Sequence, residues 1–412
     1  MLRNPKRLIQ AKNQILNIKS NKNIKKFRLA ILTSLKSQGF KISNRSRKNN
    51  SEIIPPSTNK DVIRSLHNHA RIAKLMNNAK FLQTYLSELS TFFANGDDIN
   101  LNAFDPRILP VQAETEGSRL FRLASLLWSV PVSQGFGRRT RFLILDQANN
   151  KLVGLFALGD PVFNLRARDQ LIGWNHHQRA RRLYHLMDIF VLGSVPPYSD
   201  LLCGKLVAML AASNEVRKVI YKKYKGKKSH ILGEAKNPYI VLLTTGSALG
   251  RSSLYNRITY NGRIFYQSIG ETQGWGHFHI ADETFMLMRD FLKVIDHPIA
   301  YSNRFGQGPN WKMRLIRICL ERLKLSPALL RHGIRREVYI VPLAENYRAF
   351  LSGEEDFISF YDMPASKIVE FFKERWFFPR ARRVDRYRYI KANDTLNILR
   401  KFAPNVKGGI YG

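Results

Sequence analysis

Two apolar runs joined by a short polar turn constrain the fold of this chain more than any other feature. Arg141–Asp146 (RFLILD) and Lys151–Leu158 (KLVGLFAL) have the composition of buried strands, and Gln147–Asn150 between them is typical of a hairpin turn. Hydrophobic residues make up 44% of the 412 residues, which is the composition of a folded rather than a disordered chain. We therefore expect a core built on a β-sheet.

The segments after this hairpin define the class of the core. A strand is expected within Leu183–Leu192, a helix from about Tyr198 to Lys223, and a strand over Pro238–Thr244. A turn with a short helix follows over Gly246–Tyr260, and then a strand over Arg263–Gly270. The order β-β-β-α-β-α-β requires a parallel crossover and predicts an α/β fold. Outside this core, the apolar spacing predicts helices over residues 61–95, 118–129, 282–294, 311–325 and 366–377, and a strand over 335–343.

These patterns divide the chain into four parts. Residues 1–60 form a basic arm and linker, residues 61–137 a helical region, residues 138–280 the α/β core, and residues 281–412 a C-terminal helical region. The linker is expected over Ser43–Lys60, which contains Pro55 and Pro56 and is rich in Ser and Asn.

Positive charge is concentrated at the beginning of the chain. The sequence has 67 Lys+Arg and 31 Asp+Glu, a net charge of +36. Fourteen of these basic residues lie between Arg3 and Lys48, before the first acidic residue, Glu52. Ile24, Ile31 and Leu35 follow helical spacing, so part of the arm is expected to form a helix of one charge sign. Such a helix suits a polyanionic surface; a solvated basic tail is the alternative.

A second concentration of charge lies in Arg375–Lys391, here called the basic–aromatic segment. Its 17 positions hold seven basic residues, one acid and five aromatic residues. Guanidinium groups neutralise phosphates, and the rings of Trp376, Phe377, Tyr387 and Tyr389 can stack on unpaired bases. The residues assigned to nucleic-acid binding are Arg375, Trp376, Arg380, Arg382, Arg383, Arg386, Tyr387 and Arg388.

The local conformation of this segment can also be predicted. The Arg/Tyr alternation over Asp385–Tyr389 favours a strand with its arginines on one face. The alternative for the whole segment is an amphipathic element with its aromatic residues in the core and its arginines in solvent.

The sequence gives only weak indications of catalysis. It contains no P-loop and no GxSxG, HExxH or paired CxxC motif. Asp169, Asp188 and Glu271 are the candidate catalytic carboxylates, and no residue is assigned to a cofactor or a metal. Asp169 lies between arginines, so a structural ion pair with Arg166 or Arg168 is the alternative role for it.

The cellular setting follows from cysteine content and hydropathy. The two cysteines, Cys203 and Cys319, are expected to be buried apolar side chains, which suits a reducing compartment. No apolar run reaches the ~18 residues of a membrane span. The basic N-terminus has no continuous apolar run that would indicate a signal peptide. A cytoplasmic protein without membrane contact is expected.

Several blocks in the α/β core and in the region that follows it resemble one known family. They are RARDQLIGW at residues 166–174, MDIFVLG at 187–193 followed by PPYS at 196–199, TTGSALG at 244–250, and FGQGPNW at 305–311. Together they resemble the DruA family of the bacterial Druantia anti-phage defence systems, over about residues 138–351. The resemblance implies a defence component that acts with other Druantia proteins, including a large helicase-like partner.

The resemblance also implies a fold, because the central region of that family is similar to N-acetyltransferases. It implies a mixed sheet core of the N-acetyltransferase type with helical N-terminal and C-terminal extensions. Ser199–Gly204 occupies the position of the cofactor pyrophosphate loop, but it keeps only the last glycine and adds Asp200, whose charge repels pyrophosphate.

The sequence is compatible with three functions, and a purely structural scaffold is a fourth alternative. The first is a defence component that binds nucleic acid. The second is an acyltransferase-like enzyme with Asp188 or Glu271 as its base. The third is a metal-dependent nuclease or transposase-like enzyme that uses Asp169, Asp188 and Glu271.

Overall fold

The computed structural model describes residues 21–45, 50–132, 137–228, 233–235, 237–301 and 311–403. The first twenty residues of the basic arm and most of the FGQGPNW block lie outside these ranges. The chain forms two compact units: residues 1–70 with 273–335, and residues 71–272 with 336–412.

The regular elements are numbered here in chain order. The helices are α1 (Asn21–Ser37), α2 (Lys60–Met76), α3 (Ala79–Ser90), α4 (Glu116–Ser125), α5 (Arg166–Ile172), α6 (His176–Arg182), α7 (Cys203–Leu210), α8 (Asn214–Tyr224), α9 (Asp282–Val294), α10 (Trp311–Arg322), α11 (Tyr347–Ser352), α12 (Ala365–Phe372), α13 (Phe378–Arg383) and α14 (Ala392–Arg400). The strands are β1 (Lys41–Arg45), β2 (Asn50–Ile54), β3 (Pro106–Pro110), β4 (Arg139–Asp146), β5 (Lys151–Gly159), β6 (Leu186–Ser194), β7 (Leu242–Gly246), β8 (Thr259–Tyr260), β9 (Arg263–Ile264), β10 (Gln267–Glu271) and β11 (Glu337–Pro342).

A seven-stranded mixed sheet forms the centre of the second unit, with strand order β10-β11-β7-β6-β5-β4-β3. The predicted hairpin is confirmed as the antiparallel pair β4 and β5, in which Phe142 lies opposite Phe156 with ring centroids 4.8 Å apart. The α/β class is confirmed as well, since β6 and β7 are parallel and α7 and α8 lie in the crossover between them.

The parallel pair of β6 and β7 is short compared with the full length of β6. Strand β6 is nine residues long, but its register with β7 covers only Leu186–Asp188 against Leu242–Thr244. Beyond Asp188, β6 continues its register with β5 as far as Ser194. Ligands of α/β proteins bind outside the carboxyl ends of neighbouring parallel strands, so this is a position where the fold offers a site.

Two long predicted helices are each divided in the structure. The helix expected over residues 198–223 becomes α7 and α8, because Ser213 caps α8 by accepting a hydrogen bond from the Val216 amide at 3.4 Å. The helix expected over residues 61–95 becomes α2 and α3 with a break at Asn77 and Asn78. Asn and Ser compete for backbone hydrogen bonds and favour helix ends.

The first unit contains α1, α9, α10 and the hairpin of β1 and β2. Phe27, Ile31 and Leu35 on α1 are buried, which confirms the helical spacing read from this part of the arm. The ring of Phe27 lies 5.2 Å from that of Phe291 on α9. The hairpin occupies part of the stretch for which the composition predicts a linker.

Both cysteines are buried thiols, as expected. Among the described helices, none is long and apolar enough to cross a membrane.

Candidate nucleic-acid interface

The basic–aromatic segment is helical rather than extended. After α12, the chain makes one π-helical turn at Lys373–Phe377, continues as α13, and then forms a 3-10 turn at Arg386–Tyr389. The strand predicted over Asp385–Tyr389 is therefore wrong. The Arg388 amide donates to the Asp385 carbonyl oxygen at 2.8 Å, which closes the turn. At three residues per turn, alternating positions do not share a face.

Burial separates the aromatic residues of the segment into two groups. Phe377 is fully buried and stacks on Phe104 with centroids 4.4 Å apart. Tyr387 is only 2% exposed, and Trp376 is half-buried. Tyr389, in contrast, is 72% exposed. In this conformation the ring available for stacking on a base is that of Tyr389, whereas Tyr387 contributes to the core.

The arginines also fall into two groups. Arg386 forms an ion pair with Asp200, and the Nε of Arg380 donates to the Asp200 carbonyl oxygen at 3.0 Å. Arg375, Arg382, Arg383 and Arg388 are exposed, and none forms an ion pair with a carboxylate in the described ranges. The Nε of Arg383 donates to the Pro379 carbonyl oxygen at 3.0 Å. Arg380 and Arg386 thus anchor the segment to the loop before α7, and the guanidinium groups of Arg375, Arg382 and Arg388 remain available to an external anion.

Two of these exposed arginines, Arg382 and Arg388, line a groove. It has a volume of about 630 Å³, and its polar lining consists of Asn102, Arg382, Asp385, Arg388 and Tyr389. We call it the arginine groove. Asn102 is a member that sequence reasoning missed, because nothing in the sequence pairs it with a segment some 280 positions away.

A further basic residue, Lys205, lies close to both Arg375 and Arg257. The Nζ of Lys205 on α7 lies 4.3 Å from the centroid of the Trp376 ring and donates to the Arg257 carbonyl oxygen at 3.3 Å. Burial, and then the charges of Arg257 and Arg375, lower the pKa of Lys205. Like charges are therefore held close together here, an arrangement that a bound anion would stabilise.

The 3-10 turn is held by the loop at Gly96. The Gly96 amide donates to the Ile390 carbonyl oxygen at 2.8 Å, and the Ala392 amide donates to Oδ1 of Asn95 at 3.0 Å. A Cβ on Gly96 would lie 2.1 Å from the Tyr387 carbonyl oxygen, so the approach of the two backbones requires glycine. Tyr389 is thus presented on a fixed backbone.

The candidate carboxylate Asp169 belongs to a structural network. It accepts hydrogen bonds from Nε of Arg168 at 2.8 Å and from Arg179 at 3.1 Å. Arg168 is fully buried and also donates to the carbonyl oxygens of Val162 and Phe163 at 2.9 Å. The alternative role given to Asp169, an ion pair with Arg168, is therefore observed.

Asp188 has a different environment. It is half-buried on β6, and its Oδ1 accepts a hydrogen bond from the Thr244 hydroxyl at 2.8 Å. Burial raises the pKa of Asp188 to about 6, against the opposing effects of the Thr244 hydrogen bond and of Arg168. A carboxyl group with such a pKa exchanges its proton near neutral pH, as a general base must.

Glu271 is separated from these two residues. It lies on the edge strand β10 opposite Glu337, and β11 and β7 stand between β10 and β6. Three strand spacings correspond to about 14 Å, so Glu271 and Asp188 do not form one site. Within the described ranges, no group of three or more His, Cys, Asp or Glu side chains is arranged to hold a metal ion.

The fold and this surface define an α/β protein with a mixed sheet and an exposed, arginine-lined groove. A family model described as Druantia protein DruA matches residues 57–353. The chain is also 42% identical over 397 residues to Druantia protein DruA of Escherichia coli (strain UMEA 4076-1), a match that covers 95% of this chain and 96% of that protein. The chain belongs to the DruA family, which confirms the resemblance seen in the sequence.

Membership of this family makes the chain a component of a Druantia anti-phage defence system. No solved structure matches the chain.

Proposed function

We propose that this chain is a nucleic-acid-binding component of its Druantia system and that it binds through the arginine groove and the neighbouring Lys205, Arg257 and Arg375. The observation that carries the proposal is the set of exposed guanidinium groups on Arg375, Arg382 and Arg388, which have no described carboxylate partner. Such groups contribute to binding when they neutralise phosphates and release counterions.

The net charge of +36 supports the same function, because it favours association with a polyanion. The α1 helix of the first unit adds the exposed side chains of Lys25 and Lys26. A chain with these features makes phosphate contacts of low sequence specificity. Recognition of a particular phage sequence is not part of this proposal.

A helicase-like Druantia protein is the proposed partner. The sequence contains no P-loop, so the proposal assigns nucleic-acid binding to this chain and the hydrolysis of nucleoside triphosphate to the partner. In this division of roles the chain holds the strand on which the partner acts. The proposed location of both is the cytoplasm, where phage nucleic acid is found.

The experiment compares two double variants of equal charge change. Arg382→Gln/Arg388→Gln removes the two arginines of the groove. Arg166→Gln/Lys218→Gln removes two exposed basic side chains on α5 and α8. With a fluorescently labelled oligonucleotide in an anisotropy titration, the groove variant is expected to bind at least about 10-fold more weakly, and the control variant to bind like the wild type. Equal affinities of the two variants would contradict the proposal.

One observation favours a second candidate function, an acyltransferase-like activity with Asp188 as general base. Asp188 has a raised pKa and lies where the register between β6 and β7 ends. Ligands of α/β proteins bind outside the carboxyl ends of neighbouring parallel strands. The N-acetyltransferase-like fold is part of this second candidate. Calorimetry with acetyl-CoA tests it: binding heat in the wild type supports this candidate, and the absence of heat contradicts it. The metal-dependent nuclease that would use Asp169, Asp188 and Glu271 has no comparable support, because two strands lie between those that carry Glu271 and Asp188.

A further inference from the structure

We infer that the arginine groove receives one unpaired nucleotide, so that the preferred ligand of this surface is single-stranded nucleic acid. The inference rests on the proposed function and deepens it by naming the state of the strand. It comes from the combination of an exposed ring, two guanidinium groups, a carboxylate and an amide around a single groove.

The exposed ring is the first part of the argument. Tyr389 is 72% exposed although it is a large aromatic residue, and it borders the groove. The adjacent Tyr387 is buried, and the Gly96 amide holds the Ile390 carbonyl oxygen, so the backbone on both sides of Tyr389 is fixed. A fixed and solvated ring beside cationic side chains is the arrangement on which unpaired bases stack.

The carboxylate is the second part. Asp385 is an exposed acid in a groove that also contains Arg382 and Arg388. A phosphate would be repelled by Asp385, so a surface that bound only the backbone of a duplex would gain nothing from this residue. A carboxylate does accept hydrogen bonds from the amino group of a base, as it does from N4 of cytosine.

The amide of Asn102 completes the lining. It offers both a donor and an acceptor, which are the groups that recognise the hydrogen-bonding edge of a base. In a duplex the Watson–Crick edges are occupied by pairing, whereas in a single strand they are accessible. Arg382 and Arg388 are then left to contact the flanking phosphates.

The size of the groove agrees with this occupant. Its volume of about 630 Å³ lies within the roughly 300–1,000 Å³ of sites that hold small ligands. One nucleotide is a ligand of this class. The remaining nucleotides of the strand would lie outside the groove, on the surface that carries Lys205 and Arg375.

The test uses one oligonucleotide sequence as single-stranded DNA, as single-stranded RNA and as duplex DNA, with the full chain in anisotropy titrations. Tyr389→Ala is expected to weaken single-strand binding by about 10-fold or more and to leave duplex binding unchanged. Tyr389→Phe keeps the ring and is expected to bind like the wild type. Phe357→Ala removes another aromatic residue, 66% exposed and outside the groove lining, and is the matched control.

A second variant tests whether the Asp385 carboxylate recognises the amino group of a base. The wild type is expected to bind a cytosine-rich strand more tightly than a thymine-rich strand, because only cytosine presents an amino group to Asp385. Asp385→Asn is expected to reduce this preference. A preference that is unchanged in Asp385→Asn would contradict the role given to the carboxylate.

The outcomes distinguish this inference from the proposed function. Binding of either the DNA or the RNA strand with the expected loss in Tyr389→Ala supports the inference, and the comparison of the two strands identifies the sugar. Duplex binding that is weakened in Tyr389→Ala as much as single-strand binding would overturn the inference and leave nucleic-acid binding intact. A wild type that binds none of the three ligands would overturn both.

Discussion

The carbonyl oxygen of Tyr387 lies so close to Gly96 that a Cβ at position 96 would be 2.1 Å away from it. This approach joins the loop at Gly96 to the 3-10 turn that carries Arg388 and Tyr389. The candidate interface is therefore built on a rigid junction within the second unit, and several of its properties can be tested by substitution.

Gly96→Ala tests this junction. Because the new methyl group would meet backbone rather than a flexible side chain, the turn must shift, and a loss of about 1–3 kcal/mol in the free energy of unfolding is expected. Gly117→Ala is the matched control, since the nearest atom to its Cβ would be 3.6 Å away. Denaturant unfolding of both variants gives the comparison; equal stabilities would show that the junction does not require glycine.

Arg386 and Arg388 are expected to differ in their contribution to nucleic-acid binding. Arg386 is paired with Asp200, whereas Arg388 faces the arginine groove. Arg388→Gln should reduce the affinity for an oligonucleotide more than Arg386→Gln does, because a guanidinium group already paired with a carboxylate neutralises less phosphate charge. Titrations at a single salt concentration decide this, and a larger loss for Arg386→Gln would contradict the assignment.

Arg168 is expected to be required for stability rather than for binding. It is fully buried and donates to Asp169 and to two backbone carbonyl groups. Lysine cannot reproduce this planar set of donors, so Arg168→Lys should lower the free energy of unfolding by about 3–5 kcal/mol. Arg166→Lys on the same helix changes an exposed residue and should have little effect. Similar unfolding midpoints for the two variants would contradict the structural role.

Asp188 should make the stability of the second unit depend on pH. Burial raises its pKa from 3.8 to about 6 in the folded state, so the folded chain binds a proton more tightly than the unfolded chain does. The stabilisation that this proton provides is fully present below about pH 4 and is lost as the pH rises through 6. Asp188→Asn should therefore be more stable than the wild type at pH 7, by on the order of 1–3 kcal/mol.

This difference should shrink as the pH falls toward 4, where the wild-type carboxyl group is protonated. Thermal unfolding at a series of pH values measures it. A difference between Asp188→Asn and the wild type that does not vary with pH would mean that the carboxyl group titrates normally.

Some of this structure could be predicted from the sequence, and the particular elements show why. The β4–β5 hairpin was predictable because two long apolar runs flank a polar turn, and so was the crossover between β6 and β7. The breaks at Asn78 and Ser213 were not predicted, because the apolar spacing continues on both sides. Side-chain hydrogen bonds decide where these helices end: the Asn78 side-chain amide donates to the Lys74 carbonyl oxygen, and the Ser213 hydroxyl caps α8.

The interface was predictable in its position and not in its geometry. The density of arginine and aromatic residues identified the segment, but composition does not distinguish the buried Tyr387 from the exposed Tyr389. That distinction depends on the 3-10 turn, which depends on contacts with Gly96 and Asn95 nearly three hundred positions away. The pairing of Asp200 with Arg386 and the place of Asn102 in the groove could not be predicted from the sequence for the same reason.

The salt dependence of nucleic-acid binding tests the central claim most directly. The affinity of the wild type and of Arg382→Gln/Arg388→Gln for a single-stranded oligonucleotide is measured between about 50 and 200 mM salt. The affinity of the wild type should fall steeply. The logarithmic slope of the variant should be smaller by about 1.4, because each lost phosphate contact on a single strand removes about 0.7. A wild-type affinity that does not change with salt, or identical slopes for the two proteins, would contradict binding through the arginine groove.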